Sequence, residues 1–276
     1  MLEIPEAQTI ARQFNETIIG RTITKATAAS SPHGFAWYFG EPALYGEMLN
    51  GKKVTGAAAY GGRPEIWAEN MRISFDDGVN VRYYTPAAKL PAKHQLHLEL
   101  DDGCAICCTV QMYGGLCAFP DGMNDNFYYT VSKEKVSPLS NEFNAAYFDS
   151  LLADDGRKLS AKAFLATQQR IPGLGNGVSQ DILWSAKIHP KRKMSTLSDG
   201  EFETLYHTVK TLLADMTEKG GRDTEKDLFG KPGGYITTMS KKNEGMPCPV
   251  CGDLIRRMAY LGGNVYVCEG CQGTGK

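Results

Sequence analysis

The 276-residue sequence predicts an α+β chain: a β-rich first half led by one helix, a helical stretch, and a small hairpin closed by four cysteines. Three observations predict it. Residues 5–19 repeat apolar side chains at helical spacing; residues 22–136 change to short Val-, Ile-, Tyr- and Thr-rich runs broken by Asp-Gly and Gly-Gly; and the C-terminal region holds C-P-V-C and C-E-G-C separated by sixteen residues. Charged residues at 22% and hydrophobic residues at 42% are ordinary globular values.

In the first helix, Pro5 suits the opening position, Ala7, Ile10, Ala11, Phe14 and Ile18 form the apolar stripe, and Gly20 ends it. The runs MRISFDDGVNVRYY and LHLELDDGCAICCTV each read as a β-hairpin, and residues 42–50 as a short helix. Pro138–Asn141 reads as a linker. Helical periodicity follows in EFNAAYFDSLLA, in AKAFLATQQR capped by Ser160, and in GVSQDILWSAK; Ser198 and Glu201 form a capping box that opens a helix to Lys219. The polar, glycine-rich stretch GGRDTEKDLFGKPGG is expected to be mobile.

Cys248, Cys251, Cys268 and Cys271 have the spacing of a zinc ribbon, and four thiolates suit a closed structural site with no open position for catalysis. Two disulfides of a secreted module are the alternative. The strands of this hairpin are expected at Leu254–Leu261 and Val265–Val267, around a Gly262-Gly263-Asn264 turn. Cys104, Cys107, Cys108 and Cys117 lack a second pair at ligand spacing and read as buried thiols. The N-terminus has no basic segment followed by an apolar one, and no window resembles a membrane span; the expectation is a soluble, cytoplasmic monomer, nucleoid-associated in a bacterium.

A net charge of −1 hides an asymmetry. Residues 1–156 carry 12 Lys/Arg against 19 Asp/Glu, whereas 157–193 carry eight basic residues and one acid, Asp181. Such a block is the footprint of a polyanion-facing surface or, more plainly, of a solvated helical face. Within it, Ile171-Pro172-Gly173-Leu174-Gly175-Asn176-Gly177 lies between two helices. Its glycines permit close backbone approach, and the amides opening the next helix offer an anion site; a tight helix–turn–helix connection is the alternative.

The run QQRIPGLGNGVSQDILWSAKIHPKRK, followed by PCPVCGDLI and YVCEGCQ, resembles the formamidopyrimidine-DNA glycosylase/endonuclease VIII family, and MLEIPE is similar to that family's M-P-E-L-P-E. LPAKHQLHLELDDG is similar to a family segment in the β domain. The resemblance implies an N-terminal β-sandwich over 1–136, a helix–two-turn–helix domain over 140–240 and a zinc finger over 241–276, with damaged or abasic duplex DNA held between them. It implies a phosphate-backbone contact from Asn176, a base-stack wedge at Tyr113, and zinc on the four cysteines; Gly175 of the glycine loop, Lys191 and Arg192 of the basic block, and Lys242 are the further candidate DNA contacts.

The family's catalysis uses the amine of an N-terminal proline. Here the second residue is Leu2, which should prevent removal of Met1 and leave the free amine about 3.8 Å further out. Misplacement by about 1 Å already costs roughly a hundredfold in rate. Gly62 is placed where the family has a lysine, and Gly263 where the finger has a phosphate-gripping arginine. Glu3 and Glu6 are kept, with Glu3 the family's proton-handling carboxylate. Two readings follow: a DNA-binding protein with base excision impaired or lost, or an active glycosylase/AP lyase using the Met1 amine or a lysine with Glu3. A zinc-ribbon interaction module without a nucleic-acid role is the third.

Overall fold

The computed structural model describes residues 2–153 and 155–274, so Met1 lies outside it. Helix α1 (Ile4–Thr17) opens the chain with Pro5 in its first turn and buries Ile4, Ala7, Ile10, Ala11 and Phe14. The β domain has two layers. One sheet has the order β1 (Ile23–Ala28), β7 (Leu96–Leu100), β8 (Ala105–Val110), β6 (Val79–Tyr84). The other runs β2 (Ala36–Trp37), β9 (Gly114–Pro120), β5 (Met71–Phe75), β4 (Arg63–Ala68), β3 (Val54–Tyr60). Every pairing is antiparallel except β2 with β9. One core joins the layers: Ile66, Ile73, Phe75 and Leu116 from the second sheet meet Val81, Leu98, Ile106 and Cys108 from the first. Short helix α2 (Tyr45–Leu49) covers it through the fully buried Tyr45, Leu49 also being buried.

The two Asp-Asp-Gly turns behave differently. β7 and β8 pair as the expected hairpin. β5 and β6 do not, because β4 and β9 already occupy both edges of β5, so the chain crosses to the other layer and β6 pairs with β8. That crossing, Asp76-Asp77-Gly78, becomes part of the candidate site. A second departure is α3 (Phe127–Glu134), which lies inside the stretch read as β. Its aromatic sequence FYYTV favours a strand, but the Asn126 side chain accepts from the Tyr128 and Tyr129 amides and starts a helix.

The helical module contains α4 (Ala145–Ser150), α5 (Ala161–Ala166), α6 (Asn176–Ser185) and α7 (Asp199–Glu218). Ser160 caps α5, and Ser198 with Glu201 forms the capping box of α7, both as predicted. α5 stops at Ala166, before Gln168 and Gln169 take positive φ. A second core, from Phe143, Phe148 and Phe164 to Val178, Ile182 and Leu213, also takes Ile4 of α1. Helix α1 packs on β3 and β4 and on α7, so it belongs to both modules.

The stretch after α7, expected to be mobile, is tied down. Leu228 is fully buried in the β-domain core, the Asp223 amide donates to the Tyr235 carbonyl and the Tyr235 amide to the Gly221 carbonyl, and the Arg222 side chain is buried. The C-terminal strands are β10 (Arg256–Tyr260) and β11 (Gly263–Val267), followed by the short helix α8 (Glu269–Gln272). Their turn is Leu261-Gly262, both at positive φ, rather than Gly262–Asn264. Two positive-φ residues match the two-residue hairpin loop whose twist suits the strands. Among the described residues no helix is long and apolar enough to cross a membrane.

Candidate functional site

The glycine loop before α6 does bind an anion, and that anion is Glu3. Its carboxylate accepts from the amides of Gly175 (3.2 Å), Gly177 (2.8 Å) and Val178 (2.8 Å). The dipole and unpaired amides of a helix start favour a carboxylate there. The glycines make room for it. A Cβ on Gly175 would lie 2.8 Å from the Glu3 carboxyl, and one on Gly177 would collide with the Arg222 guanidinium. Gly173, at positive φ, meets the backbone of Gly61 and Gly62. The anion site expected for a phosphate is therefore occupied by the chain's own N-terminal segment, and Gly175 donates inward.

Arg222 completes this cluster. It lies 3.5 Å from Glu3, and it binds Glu6 through its main-chain amide (3.0 Å), Nε (3.0 Å) and Nη2 (2.8 Å). All three side chains are buried. Burial opposes the charge on Arg222, but Glu3 and Glu6 hold its pKa above the ordinary value. Periodicity and spacing give no hint of Arg222; a lone arginine inside a polar loop carries no sequence signal.

Beside this cluster Leu2 turns its side chain into the β-domain core. Its carbonyl oxygen would lie 2.9 Å from a Cβ on Gly62, the tip of the β3–β4 turn. A lysine at position 62 would therefore force the turn or the Leu2 backbone to shift. The cation on this turn is Arg63, paired with Asp76 at 2.5 Å. Asp77 follows, with its carboxylate 3.4 Å from the Tyr113 hydroxyl. Burial, reinforced by the Glu3 charge, pushes the Asp77 carboxyl up to about 6. Leu2 separates two cavities: one of about 200 Å³ with Glu3, Gly62, Arg63 and Asp77, and one of about 370 Å³ with Asn80, Arg82, Tyr113 and Glu225. Met1 itself lies outside the described residues.

The four C-terminal cysteines converge. Their sulfurs lie within 4.8 Å of one another, with Cys248–Cys271 at 3.7 Å and Cys251–Cys268 at 3.2 Å. A disulfide needs about 2.05 Å, whereas tetrahedral bonds of about 2.3 Å to one ion separate the sulfurs by about 3.8 Å. The set fits a single metal ion and not two disulfides. Of the other cysteines, Cys104, Cys107 and Cys108 are buried free thiols in the β domain, as expected, while Cys117 is a free thiol only partly buried.

Comparison with known proteins bears on what this arrangement is for. Residues 135–227 match the formamidopyrimidine-DNA glycosylase H2TH domain. The formamidopyrimidine-DNA glycosylase of Symbiobacterium thermophilum is 28% identical over 99% of this chain and 89% of its own length; that of Legionella pneumophila is 27% identical over 99% and 98%. The chain belongs to the formamidopyrimidine-DNA glycosylase/endonuclease VIII family. It shares the fold of the Thermus thermophilus MutM (Fpg) protein (TM-score 0.81, 22% identity, 98% of each chain). It shares it equally with Lactococcus lactis Fpg solved with DNA containing an abasic site (TM-score 0.81, 21% identity, 98% and 99% of the chains).

Against the family pattern, the residues expected to face DNA are mostly engaged within the chain. Asn176 donates to the Asn264 carbonyl (3.1 Å), which docks the C-terminal hairpin on the helical module. Gly263 packs beside Asn176. Arg192 is bidentate to Glu201 in the α7 cap, so it serves helix α7 rather than an open surface. Lys242 pairs with Asp223 at 2.9 Å and remains half-exposed. Tyr113 is half-buried against Asp77 and Trp37, while Met112 before it is exposed. Lys191 is exposed, its ammonium 5.5 Å from the Tyr260 ring. The basic block is thus part surface and part scaffold: Lys162 is buried and reaches the Tyr260 carbonyl at 2.7 Å.

Proposed function

We propose that this chain binds duplex DNA carrying a damaged or abasic nucleotide between its β domain and its helical module, with a structural zinc ion on the four cysteines, and that base excision is lost or strongly impaired. The observation that carries the second half is the packing at Leu2. Leu2 stands in the sequence where the family has its proline, its side chain is anchored in the β-domain core, and its carbonyl would lie 2.9 Å from a Cβ at position 62. Glu3 accepts three amide hydrogen bonds and pairs with Arg222, a set of contacts suited to holding α1 against α6. Family membership, and the same fold in a relative solved with abasic DNA, support the first half. Asn176, Lys191, Lys242 and Tyr113 are the contacts proposed for the duplex, by a monomer acting in the cytoplasm, or at the nucleoid if the source is bacterial.

One observation favours an active enzyme as the second reading. Asp77, with a pKa raised to about 6 and beside the N-terminal segment, is suited to proton transfer near neutral pH.

Incubation with abasic duplex and borohydride, followed by mass spectrometry, separates the two. The proposal expects a gel-shifted complex without a covalent adduct; an adduct at Met1 or at any lysine would establish the enzyme instead. Affinity should fall steeply with salt, and Lys191→Ala should lower the slope of log K against log salt by about one unit. Binding that ignores ionic strength would rule out a phosphate-gripping cleft.

A further inference from the structure

The largest cavity described adjoins the cleft around Leu2, and its aromatic side chains Trp37, Phe39 and Tyr128 have no role above. It encloses about 690 Å³ between β2, the end of β5 and the start of α3. Trp37, Phe39, Tyr113 and Tyr128 form an aromatic wall, and Arg63, Asp76 and Asp77 supply its charges. Trp37 and Tyr128 are 53% and 52% exposed, and Phe35 and Phe127 beside them are 64% and 63% exposed. Trp37 and Tyr113 already lean together, with ring centroids 6.0 Å apart. Large aromatic side chains left in water around one concavity mark a binding site rather than a leftover of folding.

The chemistry of the lining selects the ligand. With two carboxylates and one guanidinium the cavity is net anionic, which disfavours phosphate. Carboxylates accept from ring N–H and exocyclic amine groups, and aromatic faces stack on planar heterocycles. The cavity also shares Arg63, Asp77 and Tyr113 with the two cavities flanking Leu2, so a strand in that cleft passes its mouth.

We propose that this aromatic cavity receives the unpaired base facing a lesion, stacking it on Trp37 and Tyr128 while Asp76 and Asp77 accept from its N–H edge. This rests on the DNA-binding reading and adds to it: the protein holds the orphaned base, and not the damaged nucleotide alone.

The test is a duplex with 5-iodouracil opposite an abasic site, irradiated in complex with the full chain and mapped by mass spectrometry. Crosslinks are expected on Trp37 or Tyr128. Trp37→Ala and Tyr128→Ala, both at exposed positions that leave the core untouched, should each weaken abasic-duplex binding by about 5- to 100-fold and leave undamaged-duplex binding unchanged. Crosslinks confined to other residues, with duplex binding intact, would overturn the proposal alone. Unaltered affinity in both variants would do the same. Absence of any duplex binding would overturn this proposal and the DNA-binding reading together. Equal crosslinking by free 5-iododeoxyuridine would overturn the assignment to a strand.

Discussion

Arg222 holds the two buried carboxylates of Glu3 and Glu6 together. Replacing it by alanine leaves Glu3 and Glu6 buried without their cation, a loss on the order of 3–5 kcal/mol. Urea unfolding should show this as a lowered midpoint, and Arg222→Lys should recover part of it, because an ammonium cannot reproduce the forked contact to Glu6. Asp77 presents the opposite situation. Its carboxyl is raised from 3.8 to about 6, so folding favours its protonated form. The associated stability is fully present below about pH 3.8 and is lost as pH rises through 6. Asp77→Asn should therefore stabilise the protein at pH 7.5 by about 2–3 kcal/mol, with the gain vanishing near pH 4. Thermal melts across that range check it, and a pH-independent gain would assign the effect to something other than this carboxyl.

At the scale of elements, local signals were read well and partner choice was not. Ser198 with Glu201, Ser160, and the amphipathic stripe of α1 act within a few residues of themselves, and each produced the helix its spacing predicts. Asp76-Asp77-Gly78 looks like Asp101-Asp102-Gly103, yet one crosses between sheets and the other closes a hairpin, because only the finished sheet shows which strand edges are taken. The glycine loop before α6 has the same ambiguity. Its residues announce an anion at the helix start but not whose anion it is. The β3–β4 turn gives a direct test. Gly62→Lys, which would return a family residue, should fail to produce strand cleavage and should lower the melting temperature, because its Cβ meets the Leu2 carbonyl at 2.9 Å. A stable, cleaving variant would show that the turn relaxes and that residue 62 controls cleavage.

Across the whole molecule, the C-terminal hairpin depends on its metal for shape and on the helical module for position. Its core of Met239, Ile255 and Tyr266 is too small to fold alone, and its docking runs through Asn176 to Asn264, Gln180 to Tyr266 (2.7 Å) and Lys162 to Tyr260. Metal analysis should find one zinc per chain. Chelation, or Cys248→Ser, should release the hairpin, increase hydrogen exchange over 245–272 and weaken duplex binding, while the β domain keeps its protection. Protection that survives chelation would mean that the thiols need no ion.

The sequence by itself determined what short range decides: the helices with their caps, the four-cysteine hairpin, and, through the family likeness, the order of modules. Tertiary structure alone decided the rest. It brought Glu3, Glu6 and Arg222 together across more than two hundred residues, turned Leu2 into the core, set Gly62 against the Leu2 carbonyl, and gathered the aromatic wall from Trp37, Tyr113 and Tyr128. The physical reason is that hydrogen bonds of caps and turns close over three or four residues and so leave a pattern in the chain. Which charges and rings share a buried space is settled only when distant segments compete for it.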